Sequence, residues 1–148
     1  MDGRFETFTV LINRISRNIR KIKNQEMAAE HLRSSHISCL YYLYISDGRT
    51  ATELCELCEE DKATISRSLD YLENQGYLYC ESTQGKRYKS PLYLTERGKA
   101  VGQRIAHKIN TVLDSISLAE EQRISFYHSL TVISESLDAV ARKYEQGE

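Results

Sequence analysis

Cys55 and Cys58 form a Cys-x-x-Cys pair, a spacing that serves metal ligation or dithiol exchange. A structural metal needs about four ligands. No second cysteine pair accompanies these two, and His31, His36, His107 and His128 are scattered without a His-x-x-x-His arrangement. No metal site and no cofactor are therefore expected. Free cysteine is commonly a small buried hydrophobe, so the pair is expected to pack inside its lobe. A thiol-based redox sensor at Cys39, Cys55, Cys58 or Cys80 is the alternative. Catalytic signatures are missing as well: the sequence has no Gly-rich phosphate loop, no nucleophile elbow and no paired carboxylates outside solvated faces, so no enzymatic activity is expected.

The second chemically capable set lies between Lys62 and Gln75. At 100° per residue, Ile65, Leu69 and Leu72 share one helix face, Ala63, Arg67, Asp70 and Asn74 share the other, and Thr64 and Ser66 flank it. An outer face that begins small and polar suits the major groove of DNA. Arginine reads guanine with two hydrogen bonds, hydroxyls take bases or phosphates, and a small residue permits close approach. Lys62 opens the same helix. Downstream, Lys86, Arg87 and Lys89 sit in a polar segment around Gly85, where they can neutralise phosphates or enter the minor groove. Either feature alone is equally a solvated helix face or a protected hairpin tip. Their succession along the chain favours DNA.

Charge agrees with that placement. Net charge is −1, but residues 62–108 carry nine basic and four acidic side chains, against eight and ten before them and three and seven after them. A polyanion would meet the middle third.

The elements that must position these groups can be read from periodicity. Phe5, Phe8, Ile12, Ile15, Ile19 and Ile22 recur at coiled-coil-like spacing and predict a helix over 5–23 that wants a partner. Residues 35–46 are apolar nearly all round and predict a buried central helix, with Ile37, Leu40, Tyr41 and Tyr44 on one side. Thr50 with Glu53 is a capping box opening a short helix; Asp61 can cap the next, and Gly76 stops it. Two short helices joined by a tight polar turn predict a helix-turn-helix. Tyr77–Glu81 and Leu92–Leu94 then predict a β-hairpin with a basic tip. Thr95 opens a long helix carrying Val101, Ile105, Ile109, Val112 and Ile116. Ser117 with Glu120 reads as a second capping box, starting a last helix with the seam Phe126, Leu130, Ile133, Leu137, Val140 and Tyr144.

The expected fold is mainly α with a small β-hairpin wing: a winged helix-turn-helix lobe over 35–98 and dimerisation helices over 1–30 and 100–148, forming one domain across the 148 residues. The N-terminus lacks a secretory pattern and the longest apolar-rich stretch, Ile37–Ile45, is too short to span a bilayer. A cytoplasmic protein without a membrane partner is expected, with its four cysteines as free thiols.

Glu53-Leu54, the stretch DKATISRSLDYLENQGYL from Asp61 to Leu78, and LTERG from Leu94 to Gly98 resemble the MarR family of transcriptional regulators, and the order of elements matches over essentially the whole chain. The resemblance implies a homodimer placing two lobes on double-stranded DNA at a palindromic operator, with repression relieved by a small-molecule effector. It carries Thr64, Ser66 and Arg67 over as groove-facing residues, and Lys86 and Arg87 as wing contacts. Where many members have Asp-x-Arg in the wing, this chain has Gly85-Lys86-Arg87-Tyr88. Arg17 and His36 are the expected effector-pocket groups, supplying a positive charge and a polar ring. The competing non-enzymatic reading is a helical dimeric adaptor that does not bind DNA.

Overall fold

Apolar side chains at helical spacing, punctuated by caps, produce six helices and one hairpin in the computed structural model, which describes residues 3–26, 30–81 and 89–147. The order is α1 (Arg4–Glu26), α2 (Ser34–Ile45), α3 (Ala51–Cys58), α4 (Lys62–Asn74), β1 (Leu78–Cys80), β2 (Leu92–Leu94), α5 (Glu96–Asp114) and α6 (Glu120–Glu145). The expected fold class is the one observed. The wing tip, with Lys86 and Arg87, lies outside the described residues.

Residues Met1–Ile109 form one compact unit and Asn110–Glu148 a second. In the first, α2 packs against α1, α3, α4 and β2. Ile37, Cys39, Leu40 and Leu43 of α2 meet Leu54 of α3, Ile65, Leu69 and Leu72 of α4, and Leu78 and Leu92 of the hairpin, all essentially inaccessible. Burial of side chains this size stabilises by about 1.5–3 kcal/mol each before entropy is counted. Of the face expected on α2, Ile37 and Leu40 are buried, while Tyr44 is 39% exposed.

Local signals set the boundaries. Thr50 Oγ1 accepts from the Glu53 amide at 3.3 Å while the Glu53 carboxylate accepts from the Thr50 amide at 2.8 Å. This reciprocal pair satisfies two amides that have no partner within α3. Thr50→Ala is expected to destabilise the lobe by about 1 kcal/mol, measured as a lowered urea midpoint at constant m-value. At the other end of the motif, Gly76 adopts φ +76°. Its amide donates to the Glu73 carbonyl and that of Tyr77 to the Leu72 carbonyl, so the α4 terminus closes as a Schellman motif.

The hairpin is antiparallel, with Leu78 opposite Leu94, Tyr79 opposite Tyr93 and Cys80 opposite Leu92. Arg49 adds an isolated bridge to Leu92, tying the entry to α3 to the sheet. Leu78, Leu92 and Leu94 face the core, and Tyr79 and Tyr93 stack at 5.8 Å on the other side.

Two boundaries differ from expectation. Helix α1 runs to Glu26, past the expected end at 23. Helix α6 is not opened by Ser117 and Glu120: Leu118 donates to the Ile116 carbonyl in a tight turn, the chain stays extended at Ala119, and Gln122 accepts from the Ala119 amide at 3.0 Å. The turn delays helical geometry until Glu120, which shifts the cap by two residues.

The apolar stripe of α1 stands open in the single chain, with Phe8, Ile12, Ile15, Ile19 and Ile22 each 37–49% exposed. In the second unit, α6 has no buried residue, and Phe126, Leu137, Val140 and Tyr144 of its seam are exposed. Among the described residues no helix is long and apolar enough to cross a membrane.

Candidate nucleic-acid interface

Helix α4 is amphipathic as its sequence requires. Ile65, Leu69 and Leu72 are fully buried, Ala63, Arg67, Asp70 and Asn74 are exposed, and Thr64 and Ser66 are half-buried at the margins. Lys62 is exposed at the first turn and Lys89 is exposed at the base of the wing. The Arg67 guanidinium donates to Thr64 Oγ1 at 3.4 Å, which links two of the outer groups one turn apart.

Three contacts fix this helix to its surroundings, and none is visible in its own sequence pattern. Ser68, buried on the inner side, donates to Ser35 Oγ on α2 at 2.9 Å. Arg97 donates to the Gln75 carbonyl and to the Tyr77 hydroxyl, with its guanidinium 4.3 Å from the Tyr77 ring centre. Tyr71 stacks on His36 at 4.5 Å and donates to the His31 carbonyl. The outer face is thus presented by a helix held at its middle and its C-terminal end.

Its N-terminal end is held by charge. Asp61 Oδ1 accepts from the Thr64 amide at 2.6 Å, and this bond, aided by the Thr64 side chain, holds the carboxyl below its ordinary value of 3.8. The unfolded chain therefore binds the proton more readily. The stabilisation from this cap is complete above the ordinary carboxylate range and fades as pH falls through the lowered folded-state value. Thermal melting followed downward from pH 5 should show Asp61→Asn, which keeps an accepting oxygen, losing less stability with acid than the native chain.

Neither Arg17 nor His36 lines the cleft found beside α4. An open cleft of about 640 Å³ lies beside the start of α4, and Arg20, Asn24, Arg33, Ser35, Glu60 and Thr64 are among the residues that line it. Arg17 is exposed on α1 and is not among them. His36 is also absent from the lining. Its Nδ1 accepts from the Arg33 amide at 3.0 Å, and burial, with help from the Arg33 charge, lowers its pKa. The ring is therefore neutral at pH 7 and serves the start of α2. Arg20, one turn beyond Arg17, is the α1 arginine at the cleft, and an i+3 step on the polar side of the helix was the only signal for it.

Among the described residues no three His, Cys, Asp or Glu side chains are grouped to hold a metal ion. Cys55 and Cys58 are half-buried against the core of the lobe, and Cys39 is fully buried beneath them.

A sequence profile of the MarR family matches residues 32–87. Curated protein sequences give no significant match. Among solved structures the chain is similar to a MarR family regulator from Neisseria meningitidis, with 20% identity and a TM-score of 0.80 over 95% of this chain and 97% of that one. It is also similar to a MarR family transcriptional regulator from Silicibacter pomeroyi, with 26% identity and a TM-score of 0.73 over 83% and 84% of the two chains. A third is MepR of S. aureus, whose structure is a complex with DNA, with 21% identity and a TM-score of 0.74 over 88% and 96%. The MarR family profile thus lies on the helix-turn-helix lobe, and the winged helix-turn-helix fold of these solved structures is the fold of this chain over most of its length.

Proposed function

We propose that the chain is a sequence-specific DNA-binding transcription regulator, acting as a homodimeric, ligand-responsive repressor on a palindromic operator. The observation that carries this reading is the outer face of α4, where Ala63 and Arg67 are exposed on a helix whose opposite face is locked into the core. The DNA complex of MepR, a protein of the same architecture, supports it. In this reading Lys62, Ala63, Thr64, Ser66 and Arg67 meet the major groove, and Lys86, Arg87 and Lys89 meet the backbone or minor groove.

The open apolar stripes of α1 and α6 favour a dimer, since long exposed apolar faces are unusual on monomers. A two-fold dimer presents its α4 helices to half-sites about 34 Å apart. An effector acts by binding one lobe separation better than another, so its influence is bounded by that difference. The cleft beside α4, with Arg20 and Arg33 on its wall, suits an anionic effector better than the Arg17 and His36 positions do. A DNA partner implies the cytoplasm.

The test is an anisotropy titration of the protein against DNA upstream of its own gene, at two salt concentrations and with random duplex as competitor. Preference for that DNA with a steep salt dependence is expected. A dimer without preference or salt dependence would favour the adaptor reading instead.

A further inference from the structure

The end of α4 is closed from outside by the residues that open α5. Three successive carbonyls accept from them: that of Gln75 from the Arg97 guanidinium, that of Gly76 from the Thr95 hydroxyl at 2.6 Å, and that of Tyr77 from the Thr95 amide at 3.1 Å. Carbonyls at and just beyond a helix end have no partner within the helix, and a cation there also meets the negative end of the helix dipole. The other terminal nitrogen of Arg97 donates to the Tyr77 hydroxyl at 3.2 Å, and the guanidinium lies 4.3 Å from the centre of that ring. Tyr77 is buried, whereas Arg97 is exposed.

We infer that Arg97 is a positioning residue for DNA reading: by clamping the end of α4 to α5 it fixes the direction of α4 within the lobe, and with it the place of Thr64, Ser66 and Arg67 in the groove. The middle of α4 is pinned by the bond from Ser68 to Ser35. Gln75 lies seven residues beyond Ser68 and Thr64 four before it, about 10 Å and about 6 Å along the axis at 1.5 Å per residue. A release of about 1 Å at the Gln75 end, pivoting on Ser68, therefore carries Thr64 about 0.6 Å the other way. Good N–H···O bonds span only about 2.7–3.2 Å, so a shift of that size takes a base contact out of range. The consequence for reading rests on the proposed function, but the clamp itself does not.

The clamp requires arginine. A planar guanidinium offers two nitrogens to two acceptors at once, whereas lysine is a single charged point on a flexible stem. Its base is fixed as well, since at Gly98 even a Cβ would overlap the Tyr77 carbonyl. An exposed arginine near a DNA-binding helix also suits a direct phosphate contact, and substitution separates the two uses: Arg97→Lys keeps a phosphate contact and loses the fork. Because the side chain lies at the surface, replacing it leaves the core of the lobe in place.

The experiment compares the native full-length chain with Arg97→Lys and Arg97→Ala. Residual dipolar couplings of the α4 amides, read against those of α2 and α3, report the direction of α4 without DNA. Both variants are expected to turn α4 while α2 and α3 keep a common fit. Anisotropy titrations against the DNA upstream of the gene and against random duplex, at two salt concentrations, then read the consequence. The ratio of the two affinities is expected to fall about tenfold in both variants, within the range of one lost base contact, while Arg97→Lys keeps the native affinity for random duplex and the native salt slope. Native couplings in both variants would overturn the inference, even if the urea midpoint falls, because Arg97 would then only stabilise. Operator affinity kept by Arg97→Lys, with a salt slope lowered by about one in Arg97→Ala, would overturn it by making Arg97 a phosphate contact. A native chain that prefers neither duplex would sink the proposed function and leave the couplings to decide the clamp.

Discussion

Gly98→Ala should destabilise the lobe by about 3 kcal/mol, near the upper range for forcing an extra carbon into a filled space. At an ordinary helix position the same change stabilises by about 0.5–1 kcal/mol, so the sign alone is diagnostic. A Cβ at Gly98 would overlap the carbonyl oxygen of Tyr77 and press on a Leu94 methyl at 3.2 Å. That carbonyl has little freedom to retreat. It accepts the Thr95 amide at 3.1 Å, and the Tyr77 amide is already committed to the Schellman closure of α4. The Tyr77 ring and hydroxyl are in turn held by Arg97. On the α5 side Gly98 is equally fixed, since its amide donates to Thr95 Oγ1, which itself donates to the Gly76 carbonyl. Relief would have to come from moving the end of α4 away from the start of α5. A urea melt is expected to show the midpoint lowered by at least about 1 M, given m-values of about 1–3 kcal/mol per molar. An unchanged or raised midpoint would mean that the two helix ends separate freely and that Leu-Thr-Glu-Arg-Gly is not a packing motif.

Much of this lobe is legible in the sequence because its signals are local. The Thr50–Glu53 box, the Asp61 cap and the left-handed Gly76 each act within about four residues, and each does in the structure what its neighbours require. The two faces of α4 follow from helical periodicity in the same way. The Ser117–Glu120 pair misleads because a box is only a pattern until the chain before it is free to extend, and here a tight turn at 116–118 occupies that chain. Contacts between distant residues left no such trace. Ser35 and Ser68, and Arg97 and Gln75, are joined by the way α2, α4 and α5 pack, and nothing near each residue announces its partner. His36 shows the cost of reading chemistry without packing, since its ring nitrogen is spent on the Arg33 amide and its face on Tyr71. The apolar stripes of α1 and α6 were visible as stripes, but a seam names no partner.

Arg67→Ala is expected to lower affinity for the operator by about fivefold to 140-fold, the equivalent of about 1–3 kcal/mol at 1.4 kcal/mol per factor of ten, while changing affinity for random duplex far less. The argument begins with what Arg67 does without DNA. Its side chain is exposed and its hydrogen bond to Thr64 is a long 3.4 Å contact at the surface, so the fold owes it little and alanine is a good helix former. A loss of binding in the variant is then a loss of contact. If the contact is to the base edges of a guanine, the loss falls on the sequence that carries the guanine, and the salt dependence stays close to that of the native protein. Lys86→Ala should behave in the opposite way: operator and random duplex weaken together, and the salt slope falls by about one, as for any single phosphate contact. Measured side by side in anisotropy titrations at two salt concentrations, the two variants separate reading from holding. Equal losses for Arg67→Ala on both duplexes, with a reduced slope, would move Arg67 to the backbone and leave Thr64 and Ser66 as the base-reading groups of α4.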